Sequence, residues 1–282
     1  MTLAKRRIDV TLTLGPTGAT ETQRLTGHRV TAEIETLTTG MQPQAFIKIY
    51  GLPADLMNGL TMIGPTAVAV RGQNKMRIEA GNDGDALSTV FAGTIGDAWA
   101  SYEGAPDVCL NLTGFAALEA AMKPVSPSSF KGATAAEMVI AGLANEMGFS
   151  FENHGVSVQL SDPYLPGTAY EQMTSCARAA GINYIVDRGV LAIWPEDGFI
   201  RGEAPTISPK TGLVGYPTFS SRGIALTSVF RPEVRAGSQV FVDSSIKAAT
   251  GYWNVFSVQH SLECERPGGP WFTYINAYRP SK

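Results

Sequence analysis

The hydrophobic period of this chain changes twice, from two to 3.6 and back to two, and no other feature restricts its fold as strongly. Near the start, Ile8, Val10, Leu12 and Leu14 alternate with Asp9, Thr11 and Thr13, as they do on a strand with one buried face. Gly15-Pro16-Thr17-Gly18 is turn composition. Val30, Ala32 and Ile34 alternate again, and Ala45-Phe46-Ile47-Lys48-Ile49-Tyr50 reads as another strand. Pro53 can open a short helix that buries Leu56, Met57 and Leu60. Strands are expected at residues 66–71, 76–80, 89–95 and 108–115, making a partly closed sheet or barrel, since closure removes unpaired edges.

Lys123-Pro124-Val125-Ser126-Pro127-Ser128-Ser129 then breaks the pattern with linker composition. Beyond it, Ala136, Ile140, Leu143 and Met147 form one helical stripe, and Tyr170, Met173, Ala177 and Ala180 form a second. Thr134 with Glu137, and Thr168 with Glu171, have capping-box spacing, worth about 1 kcal/mol each. Gly148 and Gly181 are placed to stop the two helices. Residues 182–186 and 190–194 flank Asp187-Arg188-Gly189, a hairpin signal. Residues 195–217, rich in Gly and Pro, read as a second connection. Period two then returns, with strands expected near 222–231, 238–246, 251–263 and 271–278. In the third of these, Tyr252, Asn254, Phe256, Val258 and His260 alternate with Trp253, Val255 and Ser257. The expected fold class is α+β, mostly β. Its domains are 1–122 (first β), 123–203 (small α/β with two capped helices) and 204–282 (second β).

Composition narrows the function classes. Charged residues are 17% of 282, against about 25% in an ordinary soluble domain, a surface suited to a chain held within an assembly. A formal net charge of −3 and the lack of any basic block argue against tight nucleic-acid binding. Cys109, Cys176 and Cys264 are odd in number and contain no C-x-x-C pair, so neither a disulfide framework nor a zinc site is indicated and a reducing compartment fits. Lys5, Arg6 and Arg7 precede a polar alternation and not an apolar signal core, and no apolar run approaches the roughly 20 residues of a membrane span.

Several phrases carry a resemblance. They are the strand and Gly-Leu at residues 45–52, then residues 68–72 and Val90-Phe91-Ala92-Gly93-Thr94-Ile95; near the end, Gly212-Leu213-Val214-Gly215-Tyr216-Pro217, Gly223-Ile224, Phe230-Arg231-Pro232, Gly237-Ser238, Gly251-Tyr252-Trp253-Asn254-Val255, Val258-Gln259-His260-Ser261-Leu262 and Pro270-Trp271-Phe272-Thr273. In these the chain resembles tail baseplate hub proteins of contractile-tailed bacteriophages, the structural family that includes the hub part of type VI secretion spike proteins. The resemblance implies two tube-like antiparallel β-barrels separated by the small α/β domain. It implies a homotrimer, a pseudo-sixfold ring that joins the sixfold tail tube to a threefold central spike and lets DNA pass. The implied partners are the tail tube or tube-initiator protein and the central spike, here expected to be a separate chain because no needle or lysozyme segment follows. Tape measure and baseplate wedge proteins are further candidates. The implied location is the virion's tail baseplate, with assembly in the host bacterial cytoplasm. The alternatives are a tail-tip cell-wall hydrolase and the hub of a secretion-system spike.

No residue pattern demands catalysis, a cofactor or a metal. His28, His154 and His260 are the obvious neutral-pH bases, but none stands beside a nucleophile motif, and a structural role is expected for His260. Glu33 with Glu35, and Glu263 with Glu265, are spaced to share a strand face, as glycosidase acids could be and as solvated strand faces commonly are. In Gly81-Asn82-Asp83-Gly84-Asp85, placing Gly84 sixth in a calcium loop puts Val90 where the bidentate Glu belongs, so a hairpin turn is the better reading. Trp99, Trp194, Trp253 and Trp271 are expected in the core.

Overall fold

The computed structural model describes residues 5–15, 21–38, 40–61 and 72–280. The strand expected over residues 66–71, and the turn at Pro16-Thr17-Gly18, lie outside them. In the first third the elements are β1 (Arg6–Leu14), β2 (Glu21–Leu25), β3 (Val30–Leu37), β4 (Gln44–Tyr50), α1 (Ala54–Leu60), β5 (Lys75–Asn82), β6 (Ser88–Ser101), β7 (Cys109–Phe115) and α2 (Leu118–Met122). The alternation read from the sequence decides their faces. Ile8, Val10 and Leu12 are buried, with Val30, Ala32, Ile34, Ile47, Ile49, Met76, Ile78, Leu110 and Leu112, in one core. Burial of each large aliphatic here contributes about 1.5–3 kcal/mol.

The middle third holds β8 (Ser128–Ser129), β9 (Ala133–Ala135), α3 (Ala136–Glu146), β10 (Ser150–Asn153), β11 (Gln159–Ser161), β12 (Tyr164–Leu165), α4 (Ala169–Ala180), β13 (Ile182–Asp187) and β14 (Val190–Pro195). The capping box at α4 forms as expected. Thr168 Oγ1 accepts from the Glu171 amide at 3.2 Å, and Glu171 Oε2 accepts from the Thr168 amide at 2.9 Å. Gly181 closes that helix in the left-handed region at φ 62°. The box expected at α3 does not form. Thr134 lies in β9, paired with Leu160 of β11, and its hydroxyl donates to the Gly132 carbonyl at 3.4 Å. The cap position is Ala135, and Glu137 Oε2 is buried without a partner. A short ladder claims the backbone that the capping geometry would need.

The hairpin β13–β14 turns through Arg188 and Gly189, both at positive φ, as a two-residue turn requires. Its period-two alternation serves two cores at once. Val186, Leu191 and Ile193 face α3 and α4, in the cluster of Ile140, Leu143, Met173 and Ala177. Ile185, Ala192 and Trp194 face the other way, into the core of the last third.

That last third contains β15 (Thr206–Ile207), β16 (Leu213–Ser220), β17 (Gly223–Val229), β18 (Gln239–Val242), β19 (Gly251–Glu263) and β20 (Trp271–Tyr278). Residues 195–217 are therefore not simply a connection. β15 pairs with β18, and β16 pairs with β17 across an irregular step where register passes from Val214↔Thr227 to Thr218↔Ala225. Gly215, at φ 68°, and Pro217 lie within the step, which is why the segment looks like a loop in sequence. The strand expected at 238–246 ends at Val242. There the Ser244 hydroxyl accepts from the Ile246 amide and Thr250 Oγ1 donates to the Ser244 carbonyl, closing a turn.

β19 ties the β segments together. It pairs with β20 along its length. On its other side it pairs first with β18 and then with β3, from Ser257↔Leu37 to Glu263↔Thr31. A bulge at Phe256 shifts its phase, so Trp253 and Val255 before it and Val258 and Leu262 after it all face inward. The outcome among the described residues is one 13-stranded sheet, with the path β16-β17-β20-β19-β3-β4-β7-β6-β5-β1-β2 and with β18 and β15 branching from β19. The mostly β, α+β class holds. Among the described residues the pairing of β3 with β19 joins the strands of the two halves into one sheet, and the path closes into no barrel.

Candidate assembly surface

The residues singled out in the sequence do not converge on a reaction centre. His28 Nδ1 lies 3.2 Å from the Tyr50 carbonyl. His154 sits between the Glu152 carboxylate, 3.3 Å from Nε2, and the Arg201 amide, which donates to Nδ1 at 3.2 Å. His260 is buried in β19, with Nδ1 2.9 Å from Thr273 Oγ1 and the Phe230 ring edge-on at 5.5 Å. Burial, and then the nearby Arg188 cation, push its pKa down to about 3. A ring so placed is neutral at physiological pH and closed to substrate.

The acidic pairs are likewise taken up by local hydrogen bonds and ion pairs. Glu33 and Glu35 share the polar face of β3, where Glu33 accepts from Ser261 Oγ at 2.6 Å and Gln259 Nε2 at 3.2 Å, and Glu35 accepts from Gln44 Nε2 at 2.9 Å. Glu263 and Glu265 do not share a strand face. β19 ends at Glu263, which is buried against Arg29 at 3.0 Å, whereas Glu265 has φ 56° and pairs with Lys5 at 2.7 Å. The positive φ at Glu265 turns the chain out of the extended conformation just after the strand ends. The segment 81–85 is the expected hairpin end, with the Asp85 amide donating to the Asn82 carbonyl at 3.2 Å. No group of three or more potential metal ligands gathers among the described residues. All three cysteines are buried thiols, and burial pushes Cys176 up to about 11.

Sequence reading missed the buried ion pairs. Asp9, fully buried, receives Arg7 at 2.8 and 2.9 Å and Arg24 at 2.8 Å. Asp187 receives Arg235 at 3.2 Å at the junction of the hairpin with the last third, where Arg188 also donates to the Pro232 carbonyl at 2.8 Å. A buried carboxylate of this kind looks in sequence like any polar residue in an alternating strand.

Three of the four tryptophans are core residues as expected, but Trp99 is 38% exposed. Exposed apolar side chains occur along one edge of the sheet. On the edge strand β16, Val214, Tyr216 and Phe219 are exposed, Tyr216 to 70%, and Val229 of the neighbouring β17 is exposed as well. The opposite edge, β2, is short and polar, with the sequence Glu-Thr-Gln-Arg-Leu. An apolar edge strand is a liability for a free chain, and exposed apolar surface of this kind is what proteins commonly use to dock on one another.

The sequence pattern of the baseplate hub gp41 family matches residues 7–266. No curated protein sequence matches the chain. Among solved structures, the fold is similar to the 43 kDa tail protein of prophage MuSo2 from Shewanella oneidensis, at a TM-score of 0.63 and 13% identity, covering 96% of this chain and 97% of that one. It is similar to a tail protein from Neisseria meningitidis, at 0.62 and 12%, covering 96% of each. It is also similar to an E. coli component of the type VI secretion system, itself described as similar to the T4 tail proteins gp27 and gp5, at 0.59 and 11%, covering 90% and 74%. At such identities the structures speak for the fold, and the family match, which spans most of the length, speaks for descent: this chain belongs to the baseplate hub gp41 family, a phage tail structural family.

Proposed function

We propose that this chain is a non-enzymatic hub subunit, three copies of which form a pseudo-sixfold ring that joins the tail tube to the central spike and lets DNA pass. One observation carries the reading: a single subunit holds two distinct β cores, one around Ile34, Ile47 and Leu110 and one around Val240, Trp253 and Ile275. The first core comes mainly from residues 1–122, with Leu262, Cys264 and Trp271 added, and the second mainly from residues 204–282, with Ile185, Ala192, Trp194 and Ile200 added; each underlies one tube-like unit, so that three subunits supply six units under threefold symmetry. The β19–β3 pairing fixes the two units rigidly within a subunit. The apolar β16 edge is then available to the next subunit, and the α/β unit of residues 123–203 lies outside the ring. The scattered, hydrogen-bonded histidines and carboxylates support a structural over a hydrolytic role. We place the subunit in the virion's baseplate, assembled in the host bacterial cytoplasm, with the tube or tube-initiator protein and the spike as immediate neighbours and tape measure and wedge proteins as outer ones.

Electron microscopy reconstruction of the parent particle tests the proposal. It should show three copies in one ring with both β units of each facing the channel. Six copies, or one β unit per subunit at the channel, would refute it.

A further inference from the structure

At the junction of all three parts of the chain lies a cleft of about 490 Å³. Thr38 reaches it from the end of β3, Asn183 and Glu196 from the hairpin, and Arg222, Asn254, Phe256 and Tyr278 from the last third. Its polar groups are unevenly satisfied. Asn254 is 2% exposed, and its Oδ1 accepts from Gln239 Nε2 at 3.1 Å, yet its Nδ2 has no partner. A buried donor left without an acceptor costs about 1–3 kcal/mol, so the position favours a ligand that brings one.

Arg222 supplies the charge for such a ligand. Its guanidinium lies over the Phe256 ring, 4.8 Å from the centroid, which holds it at the mouth while leaving its N–H groups for another acceptor. No carboxylate among the described residues pairs with it. The other rim has the opposite character. Asn183 spends its Nδ2 on the carbonyls of Pro195 and Glu196, at 3.4 and 3.0 Å, which leaves its Oδ1 as an acceptor, and Glu196 lines the same cleft. Donors on one side and acceptors on the other suit a polypeptide carrying an acid, whose main chain offers N–H groups next to the carboxylate. A polyanion such as nucleic acid would meet Glu196 unfavourably.

We propose that this cleft docks an acidic peptide segment, with Arg222 and Asn254 receiving the carboxylate and Asn183 with Glu196 receiving main-chain N–H groups. The volume accommodates about three residues. That the segment comes from a neighbouring tail protein rests on the hub reading above; the carboxylate site itself does not.

The test titrates the purified full-length chain by calorimetry with acetyl-Leu-Asp-Leu-amide and with its Leu-Asn-Leu twin. The acidic peptide should bind about tenfold more tightly. Arg222→Gln, on an exposed turn, should erase that preference with an unchanged circular dichroism spectrum, and Asn254→Asp should reverse it by setting a like charge against the ligand. The proposal fails if neither peptide binds up to about 5 mM, if the two bind alike, or if Arg222→Gln retains the preference. It also fails if a duplex oligonucleotide, and not the peptide, competes for Arg222. Any of these results leaves the ring proposal standing, and a particle without the ring leaves the peptide result standing.

Discussion

Mild acid should destabilise this protein through one side chain, His260. In the native chain the imidazole is enclosed by β19, β20 and the loop carrying Phe230. It faces the Thr273 hydroxyl, the Phe230 ring and, further off, the Arg188 cation, and its Nε2 has no partner. Burial holds the native pKa near 3, against 6.5 for a free imidazole. The native value is the lower one, so the unfolded chain takes up the proton first as pH falls through 6.5, and stability drops until the native ring also titrates. Two protonation curves with those midpoints give a loss of about 2 kcal/mol between pH 7 and pH 5, and about 5 kcal/mol once both states are protonated. Restricting the measurement to pH 5–7 keeps ordinary carboxylates ionised. Urea unfolding of the native chain and of His260→Gln, which keeps a polar group near Thr273 but cannot titrate, isolates the effect from His28 and His154. The native chain should lose about 2 kcal/mol more than the variant over that range. Parallel pH dependence in the two proteins, within about 0.5 kcal/mol, would refute the account of His260 as a buried neutral ring.

Three further outcomes are expected. Thr168→Ala should cost about 1 kcal/mol, because it removes the cap of α4, whereas Thr134→Val should cost less than half as much, because no capping bond is lost; thermal or urea melts of both decide this. Gly223→Ala should destabilise by more than about 3 kcal/mol, since a Cβ there would stand 2.1 Å from the Ala277 carbonyl oxygen at φ +144°; a melt within error of the parent would show that β17 and β20 are not so closely apposed. Trp194→Ala should cost about 3–5 kcal/mol, while Trp99→Ala, at a position 38% exposed, should cost clearly less, by about 1 kcal/mol or more. Equal losses at the two positions would contradict the burial that separates them.

The elements of this chain were legible in sequence wherever periodicity and local chemistry are sufficient causes. Alternation in Ile8–Leu14 and at 251–263 specifies strands because side chains on a strand point to opposite faces in turn. Thr168, Glu171 and Gly181 bound a helix because their side chains, or the lack of one, satisfy its ends locally. The same local rule misled at Thr134, where pairing with Leu160, a residue far along the chain, takes the backbone for a ladder. It misled again at Leu213–Ser220, where the glycine and proline of an irregular step imitate a loop.

Only tertiary structure decided how the pieces share cores. The sequence of β13 and β14 announces two apolar faces but cannot say that one belongs to the helices and the other to the last third. Nor does alternation in β19 reveal the bulge at Phe256 that turns both halves of the strand inward, or the β3 edge that receives its second half. The same holds for the cleft at Asn254, assembled from three distant parts of the chain. Periodicity is a property of neighbours along the chain, whereas register, shared cores and unpaired buried donors depend on which distant strand closes against which, and that is settled by packing.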